Sequence, residues 1–360
     1  MKRAVICVAN PWDYIPKYEN QYSIMVLNPA STAERNQYLL DNANWSVLVT
    51  DTGEEYRDGN DYPNEKLFWY TSGTTGDSKF CSFTQAQVDH VANKMIEAYD
   101  LTSNDRYVSI MPLWHAHGQM LYWVAQKLNM ETTFLPITKL SSLHTYHPTF
   151  LSAIPDILKA VMKQNLDSLR FVRSASAALP TQLYTIMKDT FQVPILESFG
   201  MTETCSHCFT NPLHGKQRIG TIGTPSGVDA KIENGHLFVK GVAVAHPGWF
   251  DTGDLAEQDT AGYYKILGRV QDRINVRGFK LNPLSLENQI REALPELKEL
   301  AIFGTDTVKC VYSGPYTDRQ LFDELNKLGQ YCRPSVVKQL VEIPKNNSGK
   351  ISRSLLNSIY

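Results

Sequence analysis

Short apolar segments alternate with amphipathic helical segments through roughly the first 200 residues, a pattern that few fold classes accommodate. Strands are predicted at 66–70, 107–111, 169–173 and 194–198, each followed by a polar or small-residue turn. A helix is predicted from Thr84, because apolar residues recur there at helical spacing and Thr84 with Gln87 forms a capping box. The pattern favours an α/β core.

The pattern changes after Gly220, where glycines are frequent and strand-like runs are short. Segments such as HLFVKG and YYKILG predict antiparallel sheet rather than crossover units. Two helical patterns follow, one on Leu286, Ile290 and Leu294, the other on Leu321, Phe322, Leu325 and Leu328. The last 80 to 90 residues or so therefore predict a small α+β domain.

The amino-acid composition bears on the binding partners and the location to be expected. The 360 residues carry 35 Lys and Arg against 37 Asp and Glu, a net charge of -2, so neither nucleic acid nor an anionic membrane is the default partner. No apolar run reaches the roughly 18 residues that span a bilayer, and the cytoplasm is the expected location. Six scattered cysteines predict reduced thiols, and Cys205 with Cys208 lacks a second pair for a zinc site.

The segment YTSGTTGDSK (70–79) directly follows a predicted strand and is rich in glycine and hydroxyl residues. Its backbone N–H groups can wrap around an anion, while the hydroxyls and Lys79 add donors and charge. Phosphate is the natural ligand. The GxxxxGK[ST] spacing of a Walker A loop is absent, which disfavours kinases and GTPases of that class.

This loop resembles the phosphate loop of the adenylate-forming superfamily, which includes acyl-CoA synthetases, peptide-synthetase adenylation domains and luciferases. Seven further segments resemble that family's motifs in order: MPLWHAHG (111–118), SASAALP (174–180), ESFGMTET (197–204), GWFDTGD (248–254), GRVQD (268–272), RGFKLNP (277–283) and PKNNSGK (344–350). Eight ordered matches make a chance resemblance negligible.

The resemblance implies a large α/β nucleotide-binding domain with an antiparallel β portion at 1–271 and a small mobile α+β lid at 272–360. It also implies an activity, in which a carboxylate attacks the α-phosphate of ATP, pyrophosphate leaves, and the acyl group passes to a thiol. The implied cofactors are ATP and Mg²⁺, with CoA or the phosphopantetheine of an acyl carrier protein as acceptor. The substrate would be a small-molecule carboxylic acid.

Catalytic roles are implied for Lys350, Thr202, Glu203 and His115. Glu203 would hold Mg²⁺, Thr202 would bind the α-phosphate, and Lys350 would neutralise developing charge. The full set of residues implied in ATP binding is Thr71, Ser72, Gly73, Thr74, Thr75, Gly76, Lys79, Ser176, Ala177, Ala178, Glu197, Ser198, Phe199, Gly200, Thr202, Asp254 and Arg269. Within it, Asp254 would accept the ribose hydroxyls and Arg269 would supply a second contact.

The acyl pocket is implied at His115, Gly118, Phe199, Cys205, Ser206 and His207. The set is more polar than an aliphatic tunnel, and MPLWHAHG has no Asp to pair with an amino-acid ammonium, so a small or aryl acid with a polar substituent is favoured. The hinge and thiol tunnel are implied at Gln271, Gly278, Phe279 and Lys280.

The chain also departs from the family pattern. NPASTAERNQYLLDN (28–42) resembles a segment that follows a longer N-terminal subdomain in typical relatives, so an outer subdomain is expected to be absent. Ser78, Phe80 and Ser285 replace residues usual in the family, and together with the trimmed outer wall they weaken the expectation of CoA docking more than that of adenylation. Gln271 stands at the implied hinge, where relatives commonly carry Asp or Lys. Two rival functions stay open: a catalytically silent nucleotide-binding protein, and a phosphotransferase that would release ADP.

Overall fold

The computed structural model describes residues 1–71, 80–345 and 351–360. Contacts divide the chain into two compact units. The first comprises Met1–Leu179, Leu183–Ala230 and Val239–Phe250, and the second comprises Pro180–Gln182, Lys231–Phe238 and Asp251–Tyr360. This division reflects packing in one conformation, so the boundary at residue 271, which concerns motion, stays a prediction.

The first sheet of unit one has six strands in the order β4-β3-β1-β2-β5-β6. They are β1 (Lys2–Cys7), β2 (Tyr22–Val26), β3 (Val47–Thr50), β4 (Gly53–Tyr56), β5 (Glu65–Tyr70) and β6 (Phe80–Thr84). Parallel pairing joins β3, β1, β2 and β5, and the edges β4 and β6 pair antiparallel. The buried ion pair of Arg3 and Glu65, 2.8 Å between Nε and Oε1, links β1 to β5.

Three helices accompany this sheet: α1 (Ile15–Tyr18), α2 (Ala33–Ala43) and α3 (Gln85–Tyr99). The predicted helix start is confirmed, since Thr84 is the N-cap of α3 and forms the capping box with Gln87. Val88, Val91 and Met95 of α3 are buried in the core. The spacing of apolar residues therefore determines which face of α3 is buried, and the capping hydrogen bonds determine where the helix begins.

The second sheet has the order β13-β12-β11-β10-β9-β7-β8. Its strands are β7 (Arg106–Ser109), β8 (Glu131–Phe134), β9 (Phe150–Ala153), β10 (Phe171–Ser174), β11 (Ile195–Phe199), β12 (Phe209–Thr210) and β13 (Thr224–Pro225). Pairing is parallel from β8 to β11 and antiparallel from β11 to β13. Its helices are α4 (Ala116–Leu128), α5 (Pro155–Val161) and α6 (Thr181–Phe191), with a 3-10 helix at Ile137–Tyr146.

A third sheet has the order β14-β15-β16-β17, with strands Asp229–Glu233, His236–Lys240, Phe250–Gln258 and Tyr264–Arg269. Unit two continues with the hairpin β18 (Ile274–Val276) and β19 (Phe279–Leu281) and the sheet β20 (Glu299–Phe303), β21 (Val308–Ser313) and β22 (Pro334–Gln339). The antiparallel expectation is confirmed for β16 with β17 and for β18 with β19.

The two predicted C-terminal helices are present as α7 (Pro283–Ala293) and α8 (Asp318–Lys327), and α9 (Arg353–Ile359) follows. Leu286, Ile290, Leu321 and Leu325 are buried together in the core of unit two. The fold class predicted from the sequence, an α/β portion with antiparallel sheet and a small α+β portion, is thus confirmed. Within the described ranges, no helix has the length and apolar character needed to cross a membrane.

Candidate functional site

The carboxyl ends of β7, β9, β10 and β11 meet at one edge of the second sheet, because these strands run parallel. Ligand sites in open α/β sheets form at this edge. Three of the predicted motifs follow these strands directly: MPLWHAHG after β7, SASAALP at the end of β10, and ESFGMTET at the end of β11. Local strand order thus brings together segments that lie far apart in the sequence.

Glu197, near the end of β11, is a buried carboxyl group. Its Oε1 accepts a hydrogen bond of 3.3 Å from the backbone N–H of Leu179, and its Oε2 has no partner among the described residues. Burial raises the pKa of the Glu197 carboxyl to about 8, and the bond from Leu179 opposes the rise. Glu197 is therefore a group that a ligand hydroxyl or cation can engage.

A tight turn follows β11 and carries Thr202 and Glu203 on one 3-10 turn, Thr202–Thr204. Cys205 and Ser206 have φ of 50° and 76°, values that residues other than glycine seldom adopt and that concentrate at functional sites. Burial raises the pKa of the Cys81 thiol on β6 to about 12, and the charge of Glu203 adds to the rise. Glu203 is thus close to a strand that borders the predicted phosphate loop.

The acyl-pocket motif begins α4. His115 is its N-cap residue and is half-buried, with its ring 6.4 Å from that of Trp114. Gly118 lies where an added Cβ would stand 2.4 Å from the carbonyl oxygen of Pro112, so only glycine fits this close approach. Cys205 is fully buried, with its Sγ 3.9 Å from Sδ of Met120 on α4. The structure thus brings Cys205 beside the acyl-pocket helix.

Unit one also contains a buried polar network that was not predicted from the sequence. Arg173 on β10 donates from Nη1 to His117 Nε2 and to Ser152 Oγ, both at 2.9 Å, and from Nε to the hydroxyl of Tyr99 at 2.9 Å. His117 Nδ1 lies 3.1 Å from Ser176 Oγ. Because a guanidinium only donates, Nε2 of His117 accepts and Nδ1 carries the proton. The network connects the acyl-pocket motif to the loop of Ser176, Ala177 and Ala178.

Arg173 had a signal in the sequence, since it is a charged residue within the apolar strand segment FVRS. His207, which was predicted, is fully buried, and its Nε2 lies 3.0 Å from Ser226 Oγ. Its ring contacts the ring of Tyr99 edge-on, 6.0 Å between centroids. Burial, together with the charge of Arg173, lowers the pKa of His207 well below its usual range.

The other predicted nucleotide residues of unit one differ in their burial. Ser198 is buried, and its Oγ has no partner among the residues described. Phe199 ends β11 with its ring against that of Phe209, and Gly200 follows. Ala177 and Ala178 are exposed, whereas Thr71 and Ser176 are half-buried.

The predicted ribose contacts, Asp254 and Arg269, are paired in unit two. They lie opposite each other on β16 and β17, with Arg269 Nε 2.9 Å from Asp254 Oδ1. Asp254 is buried, and its backbone N–H donates to Thr252 Oγ1 at 3.1 Å. Arg269 also donates from Nη1 to the carbonyl of Thr252 at 3.1 Å. Arg269 therefore links the Asp254 carboxylate to the Thr252 carbonyl.

Of the predicted hinge and tunnel residues, Gly278, Phe279 and Lys280 lie on the β18–β19 hairpin, and Gln271 precedes it. Arg277 and Gly278 form its two-residue turn with φ of 50° and 89°, the geometry of a type I′ turn. Gly278 is exposed, and an added Cβ would meet no atom within 4 Å. Phe279 stacks on Tyr331 at 3.9 Å between centroids, while Lys280 and Gln271 are exposed.

Several predictions fall outside the described residues. They concern Ser72, Gly73, Thr74, Thr75, Gly76, Lys79 and Lys350. The neighbouring residues are described: β5 and β6 border the first segment, and Lys345 pairs with Ile351 across the second.

The oxygen donors at this edge suit Mg²⁺ bound with ATP. In the described ranges no cluster of three or more His, Cys, Asp or Glu side chains is arranged to hold a metal. Mg²⁺ commonly takes one or two carboxylates, with substrate phosphates and water completing its shell. The carboxylate of Glu203, half-buried on the turn after β11, fits that pattern.

Comparison with known proteins gives a family. Residues 66–245, half of the chain, match the family described as AMP-binding enzyme. The chain is 29% identical over 338 residues to a sulfoacetate–CoA ligase of Cupriavidus necator and 27% identical over 343 residues to an oxalate–CoA ligase of Arabidopsis thaliana. Each alignment covers 81% of this chain, and the chain spans 66% of the length of each relative.

The fold also has solved counterparts. The ATP-bound structure of MatB from Rhodopseudomonas palustris matches all of this chain and 88% of its own length, with a TM-score of 0.88 and 21% sequence identity. At 21% sequence identity the match shows similarity of fold alone.

Proposed function

The chain belongs to the AMP-binding enzyme family, and on that premise we propose that it activates a carboxylic acid with ATP and passes the acyl group to CoA. The family membership confirms the resemblance inferred from the motifs. The observation that carries the proposal is that both relatives named above are CoA ligases and align with four fifths of this chain.

In this proposal the first half-reaction joins the acid to AMP. Bound Mg²⁺ would supply charge neutralisation between phosphates, with Glu203 as its ligand and Thr202 against the α-phosphate. Asp254, held by Arg269, would accept the ribose hydroxyls. Lys350 would enter from the small domain and neutralise charge that develops between carboxylate and α-phosphate.

The second half-reaction is transfer to a thiol. We propose rotation of residues 272–360 about Gln271, which would bring the hairpin turn of Gly278 to the thiol channel. CoA is the proposed acceptor, because both relatives are named as CoA ligases. An acyl carrier protein is the alternative acceptor, and a cytoplasmic location is the proposed setting.

The acid itself is proposed to be small and polar. Sulfoacetate and oxalate, which name the two relatives, each carry a second acidic group besides the reacting carboxylate. The predicted pocket residues Cys205, Ser206 and His207 are consistent with a compact polar acid, since Cys205 and His207 are fully buried.

A product assay over a panel of carboxylic acids tests the proposal. The full chain with Mg-ATP is expected to release pyrophosphate and AMP only when a suitable acid is present, and to form a thioester when CoA is added. Release of ADP would identify a phosphotransferase. ATP binding without turnover on any acid would identify a silent nucleotide-binding protein.

A further inference from the structure

We propose that Arg173 is the binding group for a second anionic group, a carboxylate or sulfonate, on the acid substrate. The inference rests on the proposed function, since it concerns the acid that the site activates. It starts from the guanidinium on β10, whose residue is 1% exposed. A cation so enclosed is strongly destabilised unless an anion compensates its charge.

Every hydrogen-bond partner that the described residues give Arg173 is neutral. They are the Tyr99 hydroxyl, the Ser152 hydroxyl and Nε2 of His117, which accepts from the guanidinium and is therefore unprotonated. The neighbouring Arg170 shows the usual arrangement, because its guanidinium forms an ion pair with Asp105 at 2.9 Å. Arg173 has no such carboxylate in the described part of the chain.

Two donors of Arg173 also remain for a ligand. Its Nε and Nη1 carry the hydrogen bonds above, and Nη2 makes none to a described residue. The three bonds fix the plane of the guanidinium, so the two Nη2 protons have a defined direction. Each Nη2 proton can donate a hydrogen bond to an oxygen of a carboxylate, sulfonate or phosphate group.

A second unsatisfied group lies beside the guanidinium. Nδ1 of His207 is buried without a partner among described residues, and the His207 ring contacts Tyr99, which accepts from Arg173. Burial lowers the pKa of the His207 imidazole, and the positive charge of Arg173 lowers it further. A neutral imidazole can donate to an anion from Nδ1 while Nε2 contacts Ser226.

The position fits the acid rather than the nucleotide. Arg173 binds His117, which lies one residue before Gly118 of the acyl-pocket motif, and His207 belongs to the other predicted pocket segment. A bound acid with two anionic groups would therefore neutralise the buried cation with one group and present the other for reaction. A monocarboxylic acid of similar shape would leave the cation uncompensated, which disfavours its binding.

The test compares matched acids in wild type and three variants of the full chain. Malonate and sulfoacetate are set against monomethyl malonate and propionate, and kcat/KM is measured from pyrophosphate release. Wild type is expected to favour the dianions by about 10² or more, the scale on which polar sites reject analogues that leave them unpaired. Arg173→Gln should lose most of that preference, Arg173→Lys should keep part of it, and Arg170→Gln should keep it all.

A merely structural role for Arg173 makes a different prediction. If the guanidinium only orients His117, Arg173→Gln would slow dianions and monoanions equally and leave their ratio unchanged. An unchanged ratio in Arg173→Gln or Arg173→Lys, or a wild type that favours the monoanions, would overturn the proposal.

A binding measurement separates this inference from the proposed function. Malonate and sulfoacetate, without ATP, are expected to raise the melting temperature of wild type, whereas monomethyl malonate is not. Arg173→Lys should show a smaller shift, with unchanged Mg-ATP binding. If no acid releases pyrophosphate, the proposed function fails, but the melting-temperature shifts still test the role of Arg173. Equal shifts from the dianion and the half-ester in wild type would refute that role. This comparison needs no variant, so it holds even if Arg173→Gln does not fold.

Discussion

Glu203 is a half-buried carboxylate on a 3-10 turn, and its proposed role depends on the elements that the fold places around it. The turn directly follows β11, and the charge of Glu203 reaches Cys81 on β6. Its proposed function as the Mg²⁺ ligand is therefore tested by a change that removes charge and keeps shape.

For Glu203→Gln we expect the Mg²⁺ concentration at half-maximal rate to rise by roughly tenfold or more, since a neutral amide is a poorer ligand for a hard cation. The measurement is the rate of pyrophosphate release over a Mg²⁺ titration. Glu257→Gln, an exposed acid paired with Lys265, is the control and should leave the titration unchanged. An unaltered curve for Glu203→Gln would remove Glu203 from the metal site.

Glu197 predicts a pH dependence of stability. Its carboxyl holds a proton in the folded state up to a pKa of about 8, whereas the ordinary value of 4.5 applies to the unfolded chain. Between these values the unfolded state binds fewer protons, so the free energy of unfolding falls as pH rises. One proton accounts for at most about 1.4 kcal/mol per pH unit.

Glu197→Gln keeps the acceptor for Leu179 N–H and cannot ionise, so we expect its free energy of unfolding to fall less steeply between pH 5 and 8. Chemical denaturation of both proteins across this range provides the comparison. Parallel slopes for wild type and variant would show that Glu197 is already ionised at neutral pH in the folded protein.

Elements were predictable from sequence where a local signal repeats. The capping box and apolar period placed α3, and the apolar segments placed β5, β10 and β11 to within a few residues. The strand expected at 107–111 is shorter, since β7 ends at Ser109 and the chain then turns, with Ser109 Oγ donating to the carbonyl of Met111. Arg173 had a local signal as the charged residue of FVRS, but its partners His117 and Tyr99 were not predictable, because they come from separate elements.

The contacts of Gly118 at the start of helix α4 predict how a substitution there changes stability. In an ordinary helix, Gly to Ala raises stability by up to about 1 kcal/mol. Here the added Cβ would lie 2.4 Å from Pro112 O and 2.7 Å from Met111 O, both backbone atoms. We therefore expect Gly118→Ala to lower the free energy of unfolding by about 1–3 kcal/mol. Denaturant unfolding measures the sign, and a stabilised variant would contradict the close approach of this turn to α4.

The family resemblance implies that the whole molecule uses two orientations of the small domain, one for adenylation and one for thiol transfer. Lys350 would serve adenylation and Gly278 thiol transfer, so their variants should fail at different steps. We expect Lys350→Ala to slow acyl-adenylate formation by about 10² or more, the scale of losing a preorganised charge. Preformed acyl-adenylate should still react with CoA. Rapid-quench assays of each half-reaction give the comparison.

Gly278→Leu should do the reverse, because a branched side chain at the proposed channel would obstruct the thiol and leave ATP untouched. The substitution also strains a backbone with φ of 89°. Gly215→Leu is the matched control, since Gly215 is exposed, has φ of 102° and lies outside the motifs. Equal losses in both half-reactions for Lys350→Ala and Gly278→Leu would argue against alternation of domains.

In the proposed reaction a carboxylate oxygen of the acid attacks the α-phosphate of ATP, so the fate of that oxygen distinguishes this route from others. The full chain is incubated with Mg-ATP, CoA and an acid substrate labelled with ¹⁸O in its carboxylate. The acyl-adenylate route predicts one ¹⁸O atom in AMP, unlabelled pyrophosphate and a thioester that keeps the other oxygen. Label in inorganic phosphate with formation of ADP, or AMP without label, would contradict the claim.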